Sequence, residues 1–391
     1  MAASDTVTPP EPLVAALRNE ALRLGFSRMG IATAGVPPHH DSFRDWLGRG
    51  LAGATDRWIT LHEPLRRSPA HVLEGTRSIV MLATDHVADA PAVEQGRGRV
   101  ARYAWGDDYH DVLRKRLDAL ATWLVSRLPG CRAHGVVDSA PLAERDFAWL
   151  AGLGWFGKNT MLIDPAAGSY FLLSALLTDA VLPNDSPIRF DHCGTCTACL
   201  DACPTGALPE PRVLDASRCI SSLTIEERGP VPEHLREGLG DWLFGCDVCQ
   251  EVCPWNRHAP GTTDPAFQPR ADAATPSPAD LLGLDEAGFR DRFRGSPLVR
   301  AKRRGLLRSA AIVLGNRPHP ASFAALAAAL ADSEPLVRGA AAWALGRWRT
   351  GADAALASRA EAALRAHEPG EHDESVRVEI VAALAPPAGP S

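Results

Sequence analysis

The chain has 391 residues, 46% of them hydrophobic and 23% charged, with a formal net charge of −6. That is the composition of an ordinary globular protein of two to four domains. It excludes a disordered polyelectrolyte and argues against wholesale coating of nucleic acid, although a local basic patch remains compatible with it. No apolar run approaches the roughly 20 residues needed to span a bilayer. The start, MAASDTVTPPEP, lacks a basic region followed by an apolar block, so a cytoplasmic protein without a secretory signal is expected.

The first 185 residues read as α/β. Leu13, Val14, Leu17, Ala21 and Leu22 recur at helical spacing. Phe26 to Thr33 and Ser78 to Thr84 have the character of buried strands, and Asp108 to Leu128 that of a long amphipathic helix. Gly135 to Val137 predicts a short strand with Asp138 at its C-terminal end. In an open α/β sheet that edge is where ligands bind. An aspartate there is more often a helix cap or loop residue. As a general acid near neutral pH it would need burial in an apolar pocket, and Val136, Val137, Ala140 and Leu142 are close by in sequence. Tyr170 to Leu177 is a further apolar run that periodicity leaves open between strand and helix.

Gly152 to Gly157 matches G-x-G-x-x-G, but no strand precedes it and no βαβ unit frames it. Read as a P-loop, it has Asn159 where Ser or Thr should meet magnesium. Both nucleotide readings fail, leaving a tight glycine turn that presents Lys158, Asn159 and Thr160 to a large polar ligand.

Eight of the nine cysteines fall between Cys193 and Cys253, in a loop-rich segment spanning about 186–260. Cys193, Cys196, Cys199 and Cys203, followed by Pro204, match the bacterial ferredoxin run C-x₂-C-x₂-C-x₃-C-P. Cys246, Cys249, Cys253 and Pro254 form a second run with one cysteine missing, and Cys219 is available to replace it. In that run the fourth thiolate crosses to the other cluster. The ligands therefore divide into Cys193, Cys196, Cys199 and Cys253 for one 4Fe–4S cluster, and Cys203, Cys219, Cys246 and Cys249 for the other. Cys131 is left as a small buried hydrophobe. Two structural zinc sites would also need eight cysteines, but they usually pair C-x₂-C knuckles. Two clusters carry electrons and make no bonds, so the chain is either an electron-transfer module or has a second reactive site.

After a Pro/Ala/Thr linker at about 260–279, residues 261–391 read as helical. Pro297-Leu298-Val299-Arg300 recurs at Pro335-Leu336-Val337-Arg338, and Ala310 to Gly315 is echoed by Ala341 to Gly346. A fainter copy includes Val376-Arg377, and the offsets of 31 to 39 residues suit HEAT-like helical pairs. Arg290 to Arg308 holds eight basic residues against one acid. This is either a solvated helix face or a phosphate-backbone footprint.

The segments DSAPLAERDFAWLAGLGWFGKNT, CGTCTACLDACPTGAL, CISSLTIE, GCDVCQEVCPWN and SPLVRAKRRGLLRSAAIVLGN together resemble the epoxyqueuosine reductase family, in order and spacing, over nearly the whole chain. The resemblance implies an α+β multidomain protein: a cobalamin-binding catalytic domain at 1–185, a two-cluster ferredoxin-like domain at 186–260 and a helical-repeat domain at 261–391. It implies reduction of epoxyqueuosine to queuosine at the tRNA wobble position, using cobalamin fed by the two 4Fe–4S clusters. Asp138 would be the proton donor. Arg66, Tyr103, Asp138, Lys158, Asn159, Ser221, Ser222 and Thr224 would contact cobalamin. Lys302, Arg303, Arg304 and Arg308 would contact a tRNA anticodon stem-loop. An external low-potential electron donor and a monomeric state complete the expectation. Reductive dehalogenases share the combination of cobalamin and two clusters, so a small-molecule reductase is the alternative within this chemistry.

Overall fold

A four-stranded sheet organises the first part of the chain. In the computed structural model, which describes residues 11–89, 91–351 and 353–386, helix α1 (Glu11–Arg23) leads into strand β1 (Arg28–Thr33). Helix α2 (Asp56–Arg66) then precedes β2 (Ser78–Asp85). The long helix α3 (Tyr109–Arg127) comes before β3 (Ala133–Val136), and the short helix α4 (Glu144–Leu150) before β4 (Phe171–Thr178). The run Tyr170 to Leu177, ambiguous in sequence, is thus a strand.

The strand order is β1-β2-β4-β3 and every pairing is antiparallel; Leu176 sits opposite Val80 on one side and Gly135 on the other. β2 reads as a continuous apolar run because both faces of the sheet are covered. Val80, Leu82 and Leu176 pack with Leu17 of α1 and with Leu113, Leu117, Leu120 and Leu124 of α3. The alternate residues Ile79, Met81, Ala83 and Leu177 pack with Phe147 and Ala148 of α4. The period of two is hidden when both faces are buried. An antiparallel sheet has no switch point of the doubly wound kind, so the strand-edge argument for Asp138 does not apply to this fold.

By packing, the residues fall into two units, each assembled from separate stretches. Of the described residues, one unit comprises 11–89, 106–216 and 248–268; the other comprises 91–105, 217–247, 269–351 and 353–386. The cysteine-rich segment contributes to both. In the second unit Arg99–Val100 pairs in parallel with Trp242–Phe244. Helix α5 (Ile220–Ile225) packs beside that pair. The helices α6 (Lys302–Asn316), α7 (Phe323–Ala328), α8 (Pro335–Arg349), α9 (Ala354–His367) and α10 (Glu374–Leu384) follow, with α8 packed on both α6 and α10. Among the described residues no helix is long and apolar enough to cross a membrane.

The sequence echo has a packing reason. A Cβ on Gly315 would lie 2.6 Å from the Trp343 ring, and one on Gly346 would lie 2.7 Å from the Ala383 Cβ. Each echoed glycine is where one helix meets the next backbone to backbone. Gly315→Leu should therefore overpack the α6–α8 contact and lower stability by about 1–3 kcal/mol. A denaturant midpoint equal to that of the parent would contradict this packing.

Candidate active site and cluster-binding segment

Asp138 follows the last residue of β3 by two positions and has φ 54, a left-handed backbone that aspartate tolerates better than most side chains. The chain here makes two tight turns, with the Ser139 amide on the Val137 carbonyl at 2.6 Å and the Leu142 amide on the Ala140 carbonyl at 2.8 Å. Two side chains fix this loop from outside. The Asp138 amide donates to Glu144 Oε1 at 2.8 Å, and Arg66 donates to the Leu142 carbonyl at 3.0 Å.

The Asp138 carboxylate does not point into an apolar pocket. Val136, Val137 and Leu142 are buried, but the aspartate side chain is 60% exposed. Its Oδ2 accepts from the Tyr109 hydroxyl at 2.7 Å and lies 3.2 Å from His110 Nε2. Tyr109 and His110 open α3, where Asp108 caps the helix by accepting from the His110 amide. Asp108 Oδ1 also lies 2.8 Å from His110 Nδ1, so the imidazole is held between two carboxylates. Burial alone would lower the His110 pKa, but the hydrogen bonds to Asp108 and Asp138 and their charges outweigh it and raise it to about 9. Glu144 moves the other way from an ordinary carboxylic acid. Burial first, then the neighbouring Asp138 charge, push it up to about 8, against the pull of Arg66 and Arg145.

The protons available near neutral pH are thus carried by His110 and Glu144, neither of which the sequence singled out. The signal for His110 was the run Asp108-Tyr109-His110 at a helix start. Glu144 lies six residues beyond Asp138, and sequence offers no sign that its carboxylate turns back to the Asp138 amide.

Thiols of the first expected cluster share one locality. Burial, then the neighbouring Cys193, Cys253 and Cys196, push the Cys199 thiol up; Cys253 is raised by burial and feels Cys193 and Cys196. Deprotonating clustered, part-buried thiols is unfavourable unless a cationic centre repays it, which is what iron supplies. Trp155, Ile163 and Trp255 form an apolar wall around Cys193 and Cys253. None of the nine cysteines forms a disulfide, and among the described residues no three His, Cys, Asp or Glu side chains converge as a single ion would require. A cubane instead takes its thiolates apart at the corners of an inorganic core. Of the second expected set, Cys203 and Cys249 belong to the first unit, where the helices Ala198–Asp201 and Val248–Glu251 pack together. Cys219 and Cys246 belong to the second unit, at the N-terminus of α5 and just beyond the strand Trp242–Phe244. Cys131 packs against the sheet core as expected, and burial raises its thiol.

Several residues expected at cobalamin are committed elsewhere. Asn159 is 4% exposed; its amide donates to the Cys249 carbonyl at 3.3 Å and accepts from the Met161 amide. Thr224 is 1% exposed; its hydroxyl donates to the Ile220 carbonyl and accepts from the Gly245 amide at 2.9 Å. That bond ties the helix headed by Cys219 to the residue before Cys246. Both side chains are therefore structural. Lys158 Nζ donates to the carbonyls of Gly194 (2.7 Å) and Cys196 (2.9 Å), placing the glycine turn on the ferredoxin run. Arg66, Tyr103, Ser221 and Ser222 keep accessible surface, and Arg66 Nε is buried with no hydrogen-bond partner.

The basic segment divides in the same way. Lys302 and Arg304 are exposed at the start of α6. Arg303 and Arg308 are turned inward, which corrects their expected role at tRNA. Arg303 is 6% exposed and pairs with Asp332 while donating to the Leu284 carbonyl. Arg308 is 1% exposed and donates to the carbonyls of Leu223, Glu227 and Gly229. Neither guanidinium can reach a phosphate.

Comparison with known proteins places this arrangement. A family model described as "Epoxyqueuosine reductase QueG, DUF1730" matches residues 66–139, and one described as "4Fe-4S double cluster binding domain" matches residues 192–256. The epoxyqueuosine reductase of Pseudomonas aeruginosa is 40% identical over 352 residues, covering 88% of this chain and 97% of that protein. The Escherichia coli enzyme is 37% identical over 334 residues, covering 84% of this chain and 88% of that protein. This chain belongs to the epoxyqueuosine reductase family. It is accordingly an oxidoreductase with a 4Fe–4S double cluster binding domain. A crystal structure of epoxyqueuosine reductase with an epoxyqueuosine-modified tRNA-Tyr stem loop superposes with a TM-score of 0.85, at 33% identity, covering 95% of this chain and 98% of that one. Another, from Bacillus subtilis, has its aspartate catalytic loop swung out of the active site; it superposes with a TM-score of 0.84 at 32% identity and the same coverage.

The geometry sets a pH signature. His110 is raised above its ordinary 6.5 to about 9, so its paired, protonated form stabilises the fold fully below pH 6.5, and that contribution is lost as pH rises through 9. Histidine-labelled protein followed by NMR should show one imidazole still protonated at pH 8. In Asp138→Asn its pKa should fall but stay above the ordinary value, because Asp108 remains. Every histidine titrating near 6.5 in the parent protein would refute the ion-paired constellation.

Proposed function

We propose that this chain reduces epoxyqueuosine to queuosine in tRNA, in the cytoplasm and as a monomer, with Asp138 delivering a proton to the departing epoxide oxygen. The observation that carries the reading is the exposed Asp138 carboxylate, backed by Tyr109 and by a protonated His110, in a chain that matches this family over most of its length. The overall change is epoxide plus two electrons and two protons to alkene plus water. An oxyanion leaves poorly unless it is protonated, so a positioned acid is required. His110 Nε2, sharing a proton with Asp138 Oδ2, makes that acid renewable. Tyr109 fixes the carboxylate, and Glu144 and Arg66 fix its loop.

The electrons arrive one at a time from an external low-potential donor. Cys193, Cys196, Cys199 and Cys253 hold one cluster, and Cys203, Cys219, Cys246 and Cys249 the other. Cobalamin supplies a low-valent cobalt able to reduce the epoxide carbon. Arg66, with its buried unpartnered Nε, together with Tyr103, Ser221 and Ser222, would hold that cofactor. Lys302 and Arg304 meet the tRNA backbone. HEAT-like pairing of α6 to α10 gives them a rigid support.

Asp138→Asn should retain iron, corrinoid and tRNA affinity while queuosine formation falls by about 10² or more, the scale of general acid catalysis. Nucleoside mass spectrometry of tRNA incubated with enzyme and a strong reductant reads this directly, and near-parental turnover would assign the proton to another group. For the nucleic-acid contacts, Lys302→Glu combined with Arg304→Glu should lower the log–log salt slope of tRNA binding by up to about 2, under one unit per phosphate contact. Arg303→Glu or Arg308→Glu should instead destabilise the fold. An unchanged slope in the double variant would return the pair to a solvated face.

A further inference from the structure

The glycine turn Gly157-Lys158-Asn159-Thr160 has no nucleotide to bind, and its side chains face the cysteine runs. Lys158 Nζ donates to two main-chain carbonyls, those of Gly194 and Cys196, inside the loop that carries Cys193 and Cys196. It makes no ion pair among the described residues. Of the carboxylates on this loop, Asp191 is ion-paired and Asp201 is held by a hydroxyl. Asp191, whose carboxylate accepts from the Cys193 amide at 2.8 Å, is paired with Arg212 at 2.5 Å. Arg212 in turn donates its amide to the Lys158 carbonyl at 2.9 Å and its Nε to the Phe156 carbonyl at 3.2 Å. The loop therefore holds the Asp191–Arg212 ion pair, the Lys158 ammonium on its carbonyls and the Asp201 carboxylate, which accepts from the Thr197 hydroxyl at 2.7 Å. Asn159, the next residue, makes the corresponding bond to the Cys249 carbonyl with a neutral amide. The same turn thus grips both cysteine runs, one through a cation and one through a dipole.

We propose that Lys158 is a positioning residue that raises the reduction potential of the cluster held by Cys193, Cys196, Cys199 and Cys253. The inference rests on the cluster assignment given above. Each electron added to a thiolate-bound cluster increases its negative charge. A fixed positive charge at the ligand loop favours that reduced form, and net charge and hydrogen bonding around the sulfurs are among the levers that set cluster potential. Asn159 offers no charge to the Cys249 run, where the Arg145 guanidinium already acts on the Cys249 thiol; the Lys158 charge therefore acts on its own cluster and sets no order between the two.

The test is a redox titration of reconstituted holoenzyme followed by EPR, on Lys158→Gln, Lys158→Met and Lys158→Arg beside the parent, with iron counted in each. Gln keeps a donor for the carbonyls and removes only the charge; Arg keeps the charge. The expected result is a full iron complement and a downward shift of one of the two midpoint potentials in Gln and Met. Arg should restore that potential towards the parent value, and the second potential should stay in place throughout. Full iron with both potentials unmoved in Gln and Met would overturn the electrostatic role while leaving the cluster assignment intact. Equal movement of both potentials would overturn the selectivity. Loss of iron in Gln as well as Met would make Lys158 a staple for loop assembly and would also overturn the proposal. Failure of the parent protein to take up two clusters would instead undo the assignment on which it rests.

Discussion

The cysteine runs have almost no secondary structure of their own, and that constraint governs much of the rest. Between Cys193 and Cys203 the only regular element is the four-residue helix Ala198–Asp201, and around Cys249 only Val248–Glu251. Short turns cannot satisfy their own carbonyls, so side chains from elsewhere must do it. Lys158 and Asn159 supply donors to one pair of runs, and Thr224 joins the α5 helix to the Gly245 amide in the other unit. At Asn159 and Thr224 a buried polar residue is needed for that reason. This is why Asn159 and Thr224, which resemblance put at a cofactor, are buried and fully engaged.

Acid–base chemistry at Asp138 follows a different logic. An isolated buried aspartate would hold a proton by being starved of solvent, and it would destabilise the fold whenever it ionised. The observed arrangement keeps the carboxylate wet and ionically paired and distributes the proton to neighbours. His110 is held charged by Asp108 and Asp138, while Glu144 is held neutral by burial and by the Asp138 charge. The two shifts act in the same direction with pH. A histidine with a raised pKa stabilises the fold at low pH and ceases to do so as pH approaches 9. A carboxylate raised from 4.5 to about 8 destabilises the fold as pH rises through that window, because the folded form binds the extra proton. Both favour the mildly acidic to neutral side, where a proton for the departing oxygen is also at hand.

Sequence made the elements legible where periodicity carries the information. α1, α3 and the strands β1 and β2 fall within a few residues of the expected spans, and the glycine echo at Gly315 and Gly346 marked real helix contacts. Strand direction was not legible. A strand buried on both faces loses its alternation, and such runs are typical of parallel sheets, so the α/β reading of this region did not reveal that its pairing is antiparallel. The double-cluster segment was legible in cysteine spacing. Side-chain direction was not: Arg303 is one residue, about 100° of rotation, from exposed Lys302 and Arg304, while Arg308 lies a turn deeper along the helix than Arg304 and is buried there.

Position along the helix gives α6 two tasks at once. Its outward residues Lys302 and Arg304 are free to meet a polyanion. Its inward Arg308 is so enclosed that burial lowers its pKa to about 10, yet it remains charged at neutral pH. A buried cation without a carboxylate must be answered by dipoles. Arg308 finds them in the carbonyls of Leu223, Glu227 and Gly229, at and just beyond the C-terminal end of α5, the helix headed by Cys219. The carbonyl end of a short helix is where a positive charge is best placed. Glu226, at the same turn, reaches back to Arg300 just before α6. The helix that displays the basic surface is therefore anchored by charge and dipole to the segment that carries a cluster cysteine. Neither end of that connection could be altered without consequence for the other.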